Sequence, residues 1–145
     1  LKIAIGCDHA GFKLKEAIKG YLVSKGFNIL DEGTYSEDSV DYPDFAAKVA
    51  LDIKNQRADF GILICGTGIG MSIAANRIKG IRAALCLFPE MAKLARSHNN
   101  ANILVLPGRF IAVELAQWIV DAFIEEKFEG GRHENRVQKI EEMDK

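Results

Sequence analysis

Apolar positions along this chain alternate between two rhythms. Short runs rich in β-branched residues, at 2–7 (KIAIGC), 27–32 (FNILDE), 60–65 (FGILIC), 81–86 (IRAALC) and 102–107 (NILVLP), read as strands. Several are apolar throughout, as strands covered on both faces are. Between them, residues 12–25, 43–55, 70–78, 89–98 and 110–124 carry helical spacing. Phe45, Val49 and Ile53 form one apolar stripe, and Leu115, Ile119 and Phe123 another. A strand followed by a helix, five times over, predicts an α/β protein with a five-stranded parallel sheet between two helical layers. The final stretch, EGGRHENRVQKIEEMDK, opens on a glycine pair and then regains helix-forming composition, so a tail helix is expected at about 131–143 in place of a sixth unit.

Length and composition narrow the class. The 145 residues suit one domain over 1–145, with no repeat, low-complexity tract or linker. Apolar residues at 48%, charged residues at 27% and a net charge of -1 describe a soluble globular protein, and the near-neutral balance argues against sequence-independent nucleic-acid binding. No apolar run approaches the roughly 20 residues that span a bilayer. The opening segment breaks at Gly6 and Asp8 before a secretory core could form. A cytoplasmic protein without nucleic-acid or membrane partners is expected. Cys7, Cys65 and Cys86 show no C-x-x-C pairing, so they read as free thiols, with neither a disulfide framework nor a metal site.

In parallel α/β sheets ligands bind beyond the carboxyl ends of the strands, so reactive side chains there matter most. Cys7, Asp8 and His9 follow the first strand, residues 65–70 (CGTGIG) follow the third, and His98 and Asn99 stand just before the fifth. All are expected to gather at one ligand edge. The loop GTGIG, 66–70, can bend without Cβ clashes and opens onto a helix, so its N–H groups make an anion cradle. It lacks the Lys-Ser/Thr of a nucleotide P-loop, and Met71 breaks the third-glycine position of a dinucleotide fingerprint. Met71 also stands where a thiol phosphatase would need its loop-closing arginine. Cys7 and Cys86 read as buried core thiols. Cys65 is the informative one, because a thiolate beside a helix N-terminus is a usable base or nucleophile. Asp8 and His9 either cap a helix starting near Gly11 or face the ligand, and His98 either closes its helix or does the same. Arg132 and Arg136, four apart, share a helical face, where they either grip one phosphate or pair with Glu129 and Glu134.

Six segments together carry a family resemblance: GCDHAGFKLK near the start, DEGTYS and DYPDFA within 31–46, ILICGTGIGMSIAANRIKGIRAALC at 62–86, ARSHNNANILVLPGR at 95–109 and FEGGRHENRV at 128–137. In this order, over essentially its full length, the chain resembles the RpiB/LacAB family of sugar-phosphate isomerases. The resemblance implies a Rossmann-like α/β/α fold, a homodimer with active sites between subunits, and interconversion of ribose 5-phosphate and ribulose 5-phosphate with no cofactor. It implies Cys65 as catalytic base, with the amides of Gly66, Gly68, Ile69 and Gly70 stabilising an enediolate. Thr67 and His98 match residues that open the furanose ring, and Asp8, Asn99 and Tyr42 match residues that hold sugar hydroxyls. His9, Arg132 and Arg136, with Arg109 in support, match the phosphate-binding set. One branch of the family lacks this cysteine and carries a glutamate where this chain has Met71, which places the chain in the cysteine branch. Relatives that act on six-carbon sugar phosphates, galactose 6-phosphate or allose 6-phosphate, keep a second substrate class open. So does a non-catalytic sugar-phosphate-binding module, against which Cys65, Thr67 and His98 all stand.

Overall fold

The computed structural model describes residues 1–143. In chain order these form β1 (Lys2–Cys7), a 3-10 turn (His9–Gly11), α1 (Phe12–Ser24), β2 (Asn28–Asp31), α2 (Tyr42–Lys54), β3 (Phe60–Cys65), α3 (Ile69–Asn76), β4 (Ala83–Leu85), α4 (Pro89–Asn99), β5 (Ile103–Pro107), α5 (Val113–Glu125) and α6 (Arg132–Met143). All the strand pairings are parallel, and the sheet order is β2-β1-β3-β5-β4. The three central strands match the apolar runs closely. β2 and β4 are shorter than their runs because each lies at a sheet edge with one neighbour to extend it. α2 starts one residue before its periodic stretch: Pro43 in the first turn has its φ preset for a helix, and Asp41 before it is extended. α5 starts at Val113, because Phe110 N–H turns back onto Pro107 O at 3.0 Å.

Alternation along the strands divides the interior in two. Ile3, Ile5 and Cys7 of β1 and Ile62 and Ile64 of β3 face one side, where they bury Leu14, Ile18 and Leu22 of α1, Ala92 and Ala95 of α4, and Ile119, Val120 and Phe123 of α5. Ala4, Leu63 and Cys65 face the other side with Val105 of β5, against Ala46, Val49 and Ala50 of α2 and Met71 and Ala75 of α3. Both faces are covered, which is why these strands carry no polar alternation. The result is the three-layer α/β/α arrangement, with α6 beyond it. No helix among the described residues is long and apolar enough to cross a membrane.

The strand order fixes where a ligand can enter. From β1 the chain moves outward to β2 through α1, and from β3 it moves the opposite way through α3, on the other face. The carboxyl ends of β1 and β3, which are neighbours, therefore open a crevice at the point where the winding reverses. Asp8 leaves one lip and Cys65 ends the other.

Candidate active site

A cleft of about 430 Å³ lies at that crevice, lined by Asp8, Ala10, Tyr42, Cys65, Gly66, Thr67, Ile69, Gly70, Ile73 and Arg109. Cys65 is the last residue of β3 and 5% exposed, so its sulfur reaches the cleft wall while its backbone stays in the sheet. Its carbonyl accepts from Gly108 N–H at 2.8 Å, and Gly66 O accepts from Arg109 N–H at 3.0 Å, which ties the loop to the segment after β5. Three glycines are needed here for three reasons. A Cβ on Gly66 would come within 3.1 Å of Arg109 Nε, which lies across the loop. Gly68 sits at φ +78°, a left-handed conformation that turns the chain into α3 and that most residues resist. At Gly70 a Cβ would stand 2.5 Å from Tyr42 Cζ, so the tyrosine ring packs where that side chain would be. Ile69 N–H donates to Thr67 Oγ1 at 3.1 Å, so one amide of the expected cradle is already engaged at the helix start.

The first lip is fixed as firmly. Asp8 is buried, and its Oδ1 accepts from Gly11 N–H at 3.0 Å, capping the 3-10 turn. The same residue thus caps the turn and lines the cleft. Gly11 approaches β3 so closely that a Cβ would fall 2.5 Å from Ile64 O. His9 Nδ1 accepts from Val40 N–H at 3.1 Å, so a neutral His9 carries its proton on Nε2, toward a different partner. Behind the lip, fully buried Lys15 donates to both oxygens of Asp31 at 2.9 Å and to Thr34 O at 2.8 Å. Thr34 N–H in turn donates to Cys7 O at 2.8 Å. Burial raises the Asp31 carboxyl, but its bonds from Lys15 and Lys19 outweigh this and hold it below the usual range.

The other two thiols are inert by the same criteria. Burial pushes Cys7 up to about 12 and Cys86 up to about 11, leaving both protonated near neutrality. Met71 is fully buried in the α2/α3 core and offers the cleft nothing.

The remaining expected residues require a correction. His98 and Asn99 do not share an edge with Cys65. Strands run one way and the helices between them return, so the end of α4 lies where β5 begins, not where it ends. Asn102 O, just before β5, accepts from Gly61 N–H, and Cys65 is four residues farther along β3, roughly 13 Å at the rise of a strand. Asn99 borders a separate groove with Arg82, Ala83 and Ile140. His98 stacks on His133, and Glu129 stands beside both rings. Arg132 and Arg136, exposed in the first turns of α6, belong to this opposite edge too. The expected residues therefore fall into two groups at opposite ends of the chain: Asp8, Tyr42, Cys65, the glycine loop and Arg109 at one, and His98, Asn99, Arg132 and Arg136 at the other. Ala10 and Ile73, which also line the cleft, have no polar group by which a sequence could mark them. His133 could have been noticed from its position four residues after Glu129 and between the two arginines.

Comparison with known proteins gives this geometry a family context. Residues 3–140 match the family model described as Ribose/Galactose Isomerase. Ribose-5-phosphate isomerase B of Escherichia coli (strain K12) is 50% identical over 139 residues, covering 96% of this chain and 93% of the relative. The crystal structure of a ribose 5-phosphate isomerase from Thermotoga maritima superposes with a TM-score of 0.98 at 68% identity, covering 99% of both chains. Ribose-5-phosphate isomerase B from Mycoplasma genitalium, solved with bound ribulose-5-phosphate, has a TM-score of 0.92 at 48% identity, with 97% of this chain and 94% of that one covered.

Proposed function

The chain belongs to the ribose/galactose isomerase family, and from that premise we propose that it interconverts ribose 5-phosphate and ribulose 5-phosphate without a cofactor. The observation that carries the proposal is the Cys65 sulfur at the end of β3, in the wall of a cleft shared with a glycine loop that opens a helix. Moving a carbonyl between C1 and C2 needs one base to take the proton from C2 and return it to C1. It also needs donors for the oxygen that becomes negative between the two transfers. Cys65 is the base, and the amides of the 66–70 loop other than that of Ile69 are the donors to the enediolate. Asp8 and Tyr42 hold sugar hydroxyls at the same lip, and Arg109 supports the phosphate end.

Ring opening and phosphate capture complete the reaction. Ribose 5-phosphate is mostly a closed furanose, and an imidazole that exchanges protons near neutrality can protonate the ring oxygen as the C1–O bond breaks. His98 takes this role with Thr67, Asn99 holds a hydroxyl, and His9, Arg132 and Arg136 hold the phosphate. Because the second group lies at the far edge of its own chain, we propose a homodimer in which that edge of one copy meets the Cys65 cleft of the other. Exposed Ile69 and Ile73 beside the cleft give such a contact its apolar surface. Three free thiols suit a reducing compartment, and the cytoplasm is the proposed location.

A coupled assay for ketose formation separates the substrate classes. Turnover with ribose 5-phosphate is expected to exceed that with galactose 6-phosphate and allose 6-phosphate by at least roughly tenfold, the discrimination one carbon supplies in a fitted pocket. The reverse order would move the chain to the six-carbon branch, and no turnover of any sugar phosphate would leave a binding module.

A further inference from the structure

His98 is one of three groups packed together at its edge. Its ring lies against that of His133, with centroids 4.2 Å apart and planes 12° from parallel. The Glu129 carboxylate spans both rings, Oε1 at 3.5 Å from His133 Nε2 and Oε2 at 4.0 Å from His98 Nε2. Each supporting group is itself anchored: Glu129 N–H donates to Ser97 O at 3.0 Å, next to His98 in α4, and His133 N–H donates to Gly130 O at 3.0 Å. The His133 side chain is 8% exposed, against 37% for His98. His133 is thus a fixed platform, and His98 is the ring that reaches outward.

These three groups are close enough to consider a metal ion. Nearly parallel rings, however, aim their lone pairs side by side, whereas zinc needs them to converge on one point about 2 Å from each nitrogen. The stack suits orientation better. Burial, with His98 and Arg132 nearby, keeps His133 below the ordinary histidine range despite Glu129. A neutral His133 can lie against a protonated His98 without repelling it. The charged groups around the pair are Glu129, with Arg132 and Arg136 on α6. At 4.0 Å, Glu129 Oε2 is too far to consume the hydrogen bond of His98 Nε2, which stays available to a substrate oxygen.

We propose that His133 and Glu129 are positioning residues for His98, His133 setting the plane of its ring and Glu129 steadying His133 beneath it, so that Nε2 is held toward the ring oxygen of the closed sugar. The inference rests on the ring-opening reading of His98 given above. Ribulose 5-phosphate is open-chain, so a residue that acts through His98 must share its directional signature.

The experiment compares initial rates from ribose 5-phosphate and from ribulose 5-phosphate for His98→Asn, His133→Ala, His133→Phe and Glu129→Ala. Each variant is compared with the wild type in the same direction, with chemistry limiting and folding checked by circular dichroism. His133→Ala and Glu129→Ala are expected to lose about tenfold or more from ribose 5-phosphate and clearly less from ribulose 5-phosphate, as misoriented catalytic groups do. His133→Phe, which keeps a flat platform, should recover part of the loss. NMR of the imidazole protons should show the His98 ring shifting in His133→Ala, through the lost ring current, independently of activity. Should His133→Ala fail to fold, exposed Glu129→Ala carries the test. Equal losses in both directions, or no loss, for the folded variants while His98→Asn keeps its bias would overturn the inference and leave the His98 reading intact. A His98→Asn variant without directional bias would overturn both.

Discussion

Among the three thiols, only that of Cys65 ends a strand at an open cleft with a helix starting four residues on. Cys7 and Cys86 are held protonated by burial, so alkylation or substitution there reports on packing. At Cys65, in the proposed mechanism, the side chain does the chemistry. Cys65→Ser keeps the shape and a hydrogen bond but replaces the thiol by a far less acidic hydroxyl. Removing a general base costs roughly 10²- to 10⁴-fold in turnover, and that loss is expected in both directions alike, because both pass through the same proposed enediolate. The Michaelis constant should change little, since the proposed phosphate-binding residues lie elsewhere. Near-normal turnover would mean another base serves the reaction.

Between elements, a carboxyl pair links β2 to α2. Asp52 near the end of α2 is buried, with Oδ1 accepting from Arg57 Nε at 2.9 Å and Oδ2 without a settled donor. Glu32, just past β2, keeps its proton beside this carboxylate: the hydrogen bond to Asp52, burial and repulsion from the Asp52 charge raise it to about 7. An unfolded glutamate releases its proton near 4.5. Between those values the folded chain binds more protons than the unfolded one, so stability falls as pH rises through this window and is lowest above it. Urea unfolding from pH 4.5 to 8 is expected to show this decline, and Glu32→Gln, which donates at every pH, to remove this contribution to the slope. An unchanged slope in Glu32→Gln would place the effect at other groups. Nothing in the sequence announced this pair, because residues 32 and 52 meet only once α2 packs on β1 and β3. Periodicity did announce the strands, since both sheet faces are buried and demand unbroken apolar runs, and it announced most helices to within a turn. The Cys65 loop was legible for a local reason: strand end, glycines and helix start are consecutive, and geometry follows from adjacency. His98 and Asn99 were misplaced at the ligand edge because preceding a strand and following one read alike along a sequence. In a parallel sheet they are opposite ends.

At the scale of the whole molecule, that separation is the central feature. Cys65 and the 66–70 loop stand at one edge of the sheet, His98, Arg132 and Arg136 at the other. A chain acting alone would have to carry a substrate across the strands, whereas two copies arranged about a twofold axis bring each edge to its complement twice. The direct measurement is subunit complementation. Cys65→Ala and His98→Asn chains, co-expressed with different affinity tags and purified as the mixed dimer, are assayed from ribose 5-phosphate beside each variant homodimer. In the mixed dimer one site holds both substitutions and the other holds none, so activity of roughly half the wild-type value per dimer is expected for an isologous pair with two independent sites. Activity no higher than the mean of the two variant homodimers would contradict the account, because it would place Cys65 and His98 in one chain's own site.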